Sequence, residues 1–137
     1  MKKWILAVLA ALLLVLFCSP TLAASNYISG NWEYKYLGNG TCEIVSYKGS
    51  EDTVTVPTTL DNMAVISIGA SAFSNNGNII NVTIPEGITT LGNRAFYNCI
   101  SLTYVSLPST LTTLGDSAFF QSVYILLLSL FSFCQFF

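Results

Sequence analysis

Carboxylates and cysteines carry most of the chemical potential of this sequence, because it contains no histidine. Without an imidazole, neither a Ser-His-Asp nor a Cys-His arrangement can be assembled, and the usual proton carrier near neutral pH is missing. Two carboxylates at a suitable separation could still hydrolyse a glycosidic bond. The seven acids are Glu33, Glu43, Glu51, Asp52, Asp61, Glu86 and Asp116, scattered along the chain. Only Glu51 and Asp52 adjoin, and an extended backbone would turn those two side chains to opposite faces. Glycan-active chemistry through Glu86 and Asp116 is the rival reading, although these two acids do not occupy equivalent sequence positions. The four cysteines, Cys18, Cys42, Cys99 and Cys134, show no C-x-x-C spacing, which argues against a zinc site or a disulfide framework. A Cys42–Cys99 bridge stays conceivable in an oxidising compartment. No phosphate-cradling glycine loop occurs. The expectation is a non-enzymatic chain with no catalytic residues, no metal and no cofactor.

The first residues point to export. Lys2 and Lys3 precede an uncharged apolar run from Trp4 to Phe17, followed by Ser19-Pro20 and small residues suited to cleavage after Ala23 or Ala24. That is the pattern of a secretory signal peptide, assigned here to residues 1–23, and it implies a secreted or cell-surface location. Cleavage would leave three basic residues against seven acids, a formal charge of −4. With no basic patch, nucleic acid is excluded as a partner.

The positions that any site would use are set by a repeat. "IGASAF" opens at Ile68, "LGNRAF" at Leu91 and "LGDSAF" at Leu114, each 23 residues after the last. On this period residues 78–96 align with residues 101–119, matching Ile79 with Leu102, Val82 with Val105, Ile84 with Leu107, Ile88 with Leu111, and Phe96 with Phe119. Pro85 matches Pro108, and Gly92 matches Gly115. A period in the twenties with this L-x-x-V-x-L core is the mark of a leucine-rich repeat. Val82 and Ile84 alternate with polar neighbours as in a half-buried strand, and proline ends the strand by lacking an N–H. Gly92 is expected to supply a tight bend. Residues 53–73 form an earlier coil with five added residues, "DNMAV" forming a surface loop at Asp61-Asn62.

The pattern I/L-P…I/L-G-x-x-A-F-x-x-C-x-x-L resembles the BspA-like leucine-rich repeat proteins, a group of exported and surface proteins. The resemblance covers about residues 53–119 and implies a β-rich solenoid of 23-residue coils that takes part in adhesion to host proteins or other cells. It also implies that Cys99, with Asn76 and Ser122 at the corresponding positions, is a small group turned to the backbone of the neighbouring coil.

Both ends need covering, since a stack of coils leaves apolar faces at its termini. Residues 24–52 read as a β-hairpin cap: Trp32, Tyr34 and Tyr36 alternate with polar residues, Gly38-Asn39-Gly40 turns, and Cys42, Ile44 and Val45 continue. The three aromatics either cover the first coil or form a binding platform. The array proper is assigned to residues 53–122. Residues 123–137, "VYILLLSLFSFCQFF", carry no charge and are too few to span a membrane comfortably. They are read as a truncated or frame-shifted repeat in preference to a membrane-associating tail or an edge strand buried by a partner.

Binding is expected on the strand residues that do not enter the core: Thr53, Thr55, Asn81, Thr83, Tyr104 and Ser106. These are neutral hydrogen-bonding groups around one large aromatic, suited to an extracellular protein or glycan, with Tyr104 as the anchor. The rival is a structural spacer, on which the same threonines and serines are β-formers of a solvated sheet.

Overall fold

The structure, a computed structural model, describes residues 25–122. Its strands are β1 (Tyr27–Ser29), β2 (Trp32–Gly38), β3 (Thr41–Tyr47), β4 (Thr53–Thr55), β5 (Thr59–Leu60), β6 (Met63–Ile68), β7 (Asn81–Thr83), β8 (Thr90–Leu91), β9 (Tyr104–Ser106) and β10 (Thr113–Leu114). They build a β-solenoid of about three turns with two sheets, one all parallel and the other mixed. One sheet runs β4-β7-β9; the other runs β1-β2-β3-β6-β8-β10, with β5 attached to β6.

The 23-residue period becomes a set of ladders. Val54, Val82 and Val105 stand in one register and all point inward. The sheet hydrogen bonds continue one residue past the short strands, where Val56 N–H donates to Thr83 O and Ile84 N–H to Ser106 O. There the proline, with no N–H, ends the run. On the return side Phe73 N–H donates to Ala95 O at 2.8 Å and Phe96 N–H to Ala118 O at 2.7 Å. The rings above these bonds form a column: Phe73 to Phe96 at 4.6 Å and Phe96 to Phe119 at 5.3 Å between centroids, nearly parallel. Phe73 and Phe96 are fully buried, each contributing roughly 1.5–3 kcal/mol through removal of its ring from water.

Gly92 does a different job from the one expected. Its φ is not positive; a Cβ there would lie 2.5 Å from Ala70 N and 2.6 Å from Gly69 C. Gly115 sits the same way against Gly92 and Asn93. These glycines let two coils approach backbone to backbone, a steric demand and not a bend. A repeated left-handed conformation falls instead on non-glycine residues two and six positions after the Gly69, Gly92 and Gly115 series: Ser71, Arg94 and Ser117, then Asn75, Asn98 and Gln121, all with φ between 56° and 63°.

The five-residue insertion is a hairpin, where a loop was expected. Asp61 and Asn62, with φ of 46° and 65°, make a two-residue turn joining β5 to β6, so Met63, Ala64 and Val65 are strand. Two consecutive positive φ values suit the right-handed twist of the flanking strands, and Asp and Asn tolerate them best after glycine.

The N-terminal hairpin forms as expected, β2 antiparallel to β3, and β1 adds a third strand. It does more than cover the first coil. β3 pairs in parallel with β6, so the cap and the return-side strands are one sheet. A register shift opposite Glu33 and Tyr34 leaves Val45 without a facing residue, and the buried set of β3 becomes Cys42, Ile44 and Tyr47. Trp32 and Tyr47 then extend the aromatic column, Tyr47 stacking on Phe73 at 5.3 Å.

Candidate binding face

The six residues expected to bind a ligand are brought together. Parallel pairing aligns Thr53, Asn81 and Tyr104 in one column and Thr55, Thr83 and Ser106 in a second. The inward valines fix this arrangement, since successive strand residues face opposite ways. Thr53, Thr55 and Thr83 are exposed, while Asn81, Tyr104 and Ser106 are half-buried. Asn81 Nδ2 donates to Thr53 Oγ1 at 3.3 Å, tying the first column together. No charged side chain stands in either column.

The aromatic residues of β2 do not make a platform. Tyr34 is buried and donates its hydroxyl to Asp61 Oδ2 at 2.5 Å; Trp32 is half-buried against Tyr47 and Phe73. Tyr36 alone of the three is exposed. The hydrogen bond to Asp61 and burial together push the Tyr34 hydroxyl up to about 12.

The carboxylates act as acceptors that fasten the coils and the cap. Glu86 Oε1 accepts from Ser109 N–H at 2.9 Å, and its Oε2 accepts from Ser109 Oγ and Thr110 N–H, all in the following coil. These bonds, the Ser109 backbone N–H first, hold its carboxyl below the usual carboxylate range. Asp116 follows β10 and offers its backbone N–H to Asn93 Oδ1. Glu33 and Glu43 pair with Lys48 and Lys35 at 3.3 and 2.7 Å. Glu51 accepts from Tyr47 and from Asn31 Nδ2.

Cys42 and Cys99 are both buried free thiols. Cys99 Sγ donates to Phe73 O at 3.1 Å, and Ser122 Oγ, 23 residues on, donates to Phe96 O at 2.6 Å. Burial pushes the Cys99 thiol up to about 11, so it remains protonated and donating at neutral pH. Asn76 departs from the pair: its Oδ1 accepts from Asn78 and Ile79 N–H within its own coil. The signal segment 1–23, the tail 123–137 and Cys134 lie outside the described residues.

A family model for the BspA type leucine rich repeat region (6 copies) matches residues 51–134. The chain belongs to this family. Its solenoid is similar to a leucine rich cell surface protein from Faecalibacterium prausnitzii, with 30% identity and a TM-score of 0.66 over 71% of this chain and 28% of that one. The leucine rich repeat protein of T. pallidum shares the fold at 23% identity and a TM-score of 0.64, covering 71% of this chain and 46% of that one. A leucine-rich repeat protein from Bacteroides capillosus is 20% identical, with a TM-score of 0.50 over 74% of this chain and 98% of that one. The chain thus spans well under two thirds of the first two. Comparison with curated proteins gives no match.

Proposed function

We propose that this chain is an exported, non-enzymatic binding module that recognises an extracellular protein or glycan through the β4-β7-β9 face, in an adhesion role. The observation that carries the reading is the alignment of Thr53, Asn81 and Tyr104 beside Thr55, Thr83 and Ser106. Six outward groups in two columns offer hydrogen bonds around a single aromatic ring, the type of side chain that anchors binding energy. The signal-like start of the chain and the cell-surface description of the Faecalibacterium relative support a surface location. Binding of the chain to a panel of extracellular-matrix proteins, host cells and glycans tests it, with Tyr104→Ala alongside. Saturable binding weakened at least tenfold in the variant is expected. Binding indifferent to Tyr104→Ala would remove the face, and uniform failure by folded protein would favour a spacer.

A further inference from the structure

A second feature adjoins the binding face, where the cap meets the first coil. Among the described residues β4 is an edge strand of its sheet, on the side of the cap. Beside it lies a recess of about 200 Å³ lined by Asn31, Trp32, Tyr47, Glu51, Thr53 and Thr55. Its volume falls below the ~300 Å³ at which pockets begin to enclose whole small molecules, so it suits a single head group presented by something larger.

The chemistry of the walls selects that group. Glu51 accepts from Asn31 on Oε1 and from Tyr47 on Oε2, both neutral donors that leave its charge uncompensated. Among the described residues the ion pairs join Lys35 to Glu43 and Lys48 to Glu33, while Arg94 lies over the Tyr97 ring. No ion pair neutralises Glu51. Hydrogen bonding from Tyr47 first, then from the backbone N–H groups of Glu51 and Ser50 and from Asn31, keeps its carboxyl below the usual carboxylate range, hence ionised at neutral pH. Next to this charge stands the half-buried indole of Trp32. An ionised carboxylate beside an indole attracts a cation by Coulomb and ring-quadrupole terms together, and a planar guanidinium uses both.

We infer that this recess holds an arginine side chain of a protein partner that lies across the strand face, with Glu51 as the charge acceptor and Trp32 as the stacking wall. The inference rests on the proposed binding face, since Thr53 and Thr55 belong to both, and it favours protein over glycan as the ligand. Lysine would fit more weakly, because a hydrated ammonium stacks less well. The net excess of acids adds a long-range pull on a basic partner.

The test is titration of the isotope-labelled full chain with N-acetyl-arginine methylamide, followed by NMR at the Trp32 indole N–H and the Thr53 amide. The citrulline counterpart and methyl glucoside are the comparison probes. A saturable response to the arginine probe is expected, at least tenfold weaker for citrulline, at least tenfold weaker in Glu51→Gln, and weakened by salt. The Thr83 and Tyr104 amides report whether Glu51→Gln is still folded; if it is not, the arginine and citrulline comparison on the unaltered chain decides. Equal response to citrulline, preference for the glucoside, or no response would overturn the assignment. Tyr104-dependent binding of a matrix protein that is indifferent to Glu51→Gln would overturn the recess alone and leave the strand face standing.

Discussion

The cap and the coils are held by different forces. In the coils, equivalent residues 23 apart repeat the same backbone bonds, the same glycine approach and the same ring stacking, and the outward columns of the strand face carry no charge. The cap has no internal repeat: it holds the two ion pairs found among the described residues, Lys35–Glu43 and Lys48–Glu33, and the tyrosine–carboxylate bonds of Tyr34 to Asp61 and Tyr47 to Glu51. A repeat solves one packing problem and reuses the solution. The end of a stack has a neighbour on one side only, so it must be solved with specific side chains.

The sharpest way to break the repeated half is through its aromatic column. Phe96→Ala should cost about 3–5 kcal/mol, as for other buried rings, because the cavity opens between two rigid coils. Phe119→Ala should cost less, since Phe119 is half-buried. Urea unfolding of both variants checks this, and equal losses would contradict the burial difference.

Alkali should separate the two regions in the other direction. Tyr34 and Tyr47 are both held up at about 12, Tyr34 chiefly by its bond to Asp61 and Tyr47 chiefly by burial. An unfolded tyrosine titrates near 10. A raised folded value means that the stability is fully present below about pH 10 and is lost as pH rises through about 12. Amide exchange across that window should therefore accelerate in β2 and β3 before it does at Phe96. Simultaneous loss would show that cap and coils open as one unit.

The smallest effect concerns the repeated left-handed conformation. Ser71 is an exposed residue with φ of 59°, a conformation that costs an L-residue roughly 1–2 kcal/mol. Ser71→Gly should stabilise by up to about 1 kcal/mol after the unfolded-state entropy of glycine is set against it. Thermal unfolding would show a raised midpoint, and a lowered one would mean that the Ser71 side chain contributes more than its backbone costs.

Much of this architecture was legible because the repeat samples each structural position three times. Val82 with Val105, Phe96 with Phe119 and Ile79 with Leu102 declared their inward facing by recurring, and the outward strand residues followed by alternation. Ser122 and Cys99 share one role, since both donate to the preceding coil, while Asn76 at the first such position accepts within its own coil. Asp61-Asn62 reads as a loop in sequence because a two-residue turn without glycine gives a weak hairpin signal. At Gly92 the sequence records that a side chain is absent but not whether φ or a neighbouring backbone forbids it, and only the structure shows that it is the backbone.

By itself, the sequence determined the period, the inward residues and hence the two outward columns of the strand face, because side-chain alternation and a fixed repeat are properties of the local chain. Only the tertiary structure decided that β3 joins β6 in a continuous sheet, and that Trp32, Asn31 and Glu51 meet beside Thr53. Those contacts join segments on both sides of the hairpin turn to the first coil. Their distances depend on a bulge opposite Tyr34 and on how the cap is seated, which no local periodicity encodes.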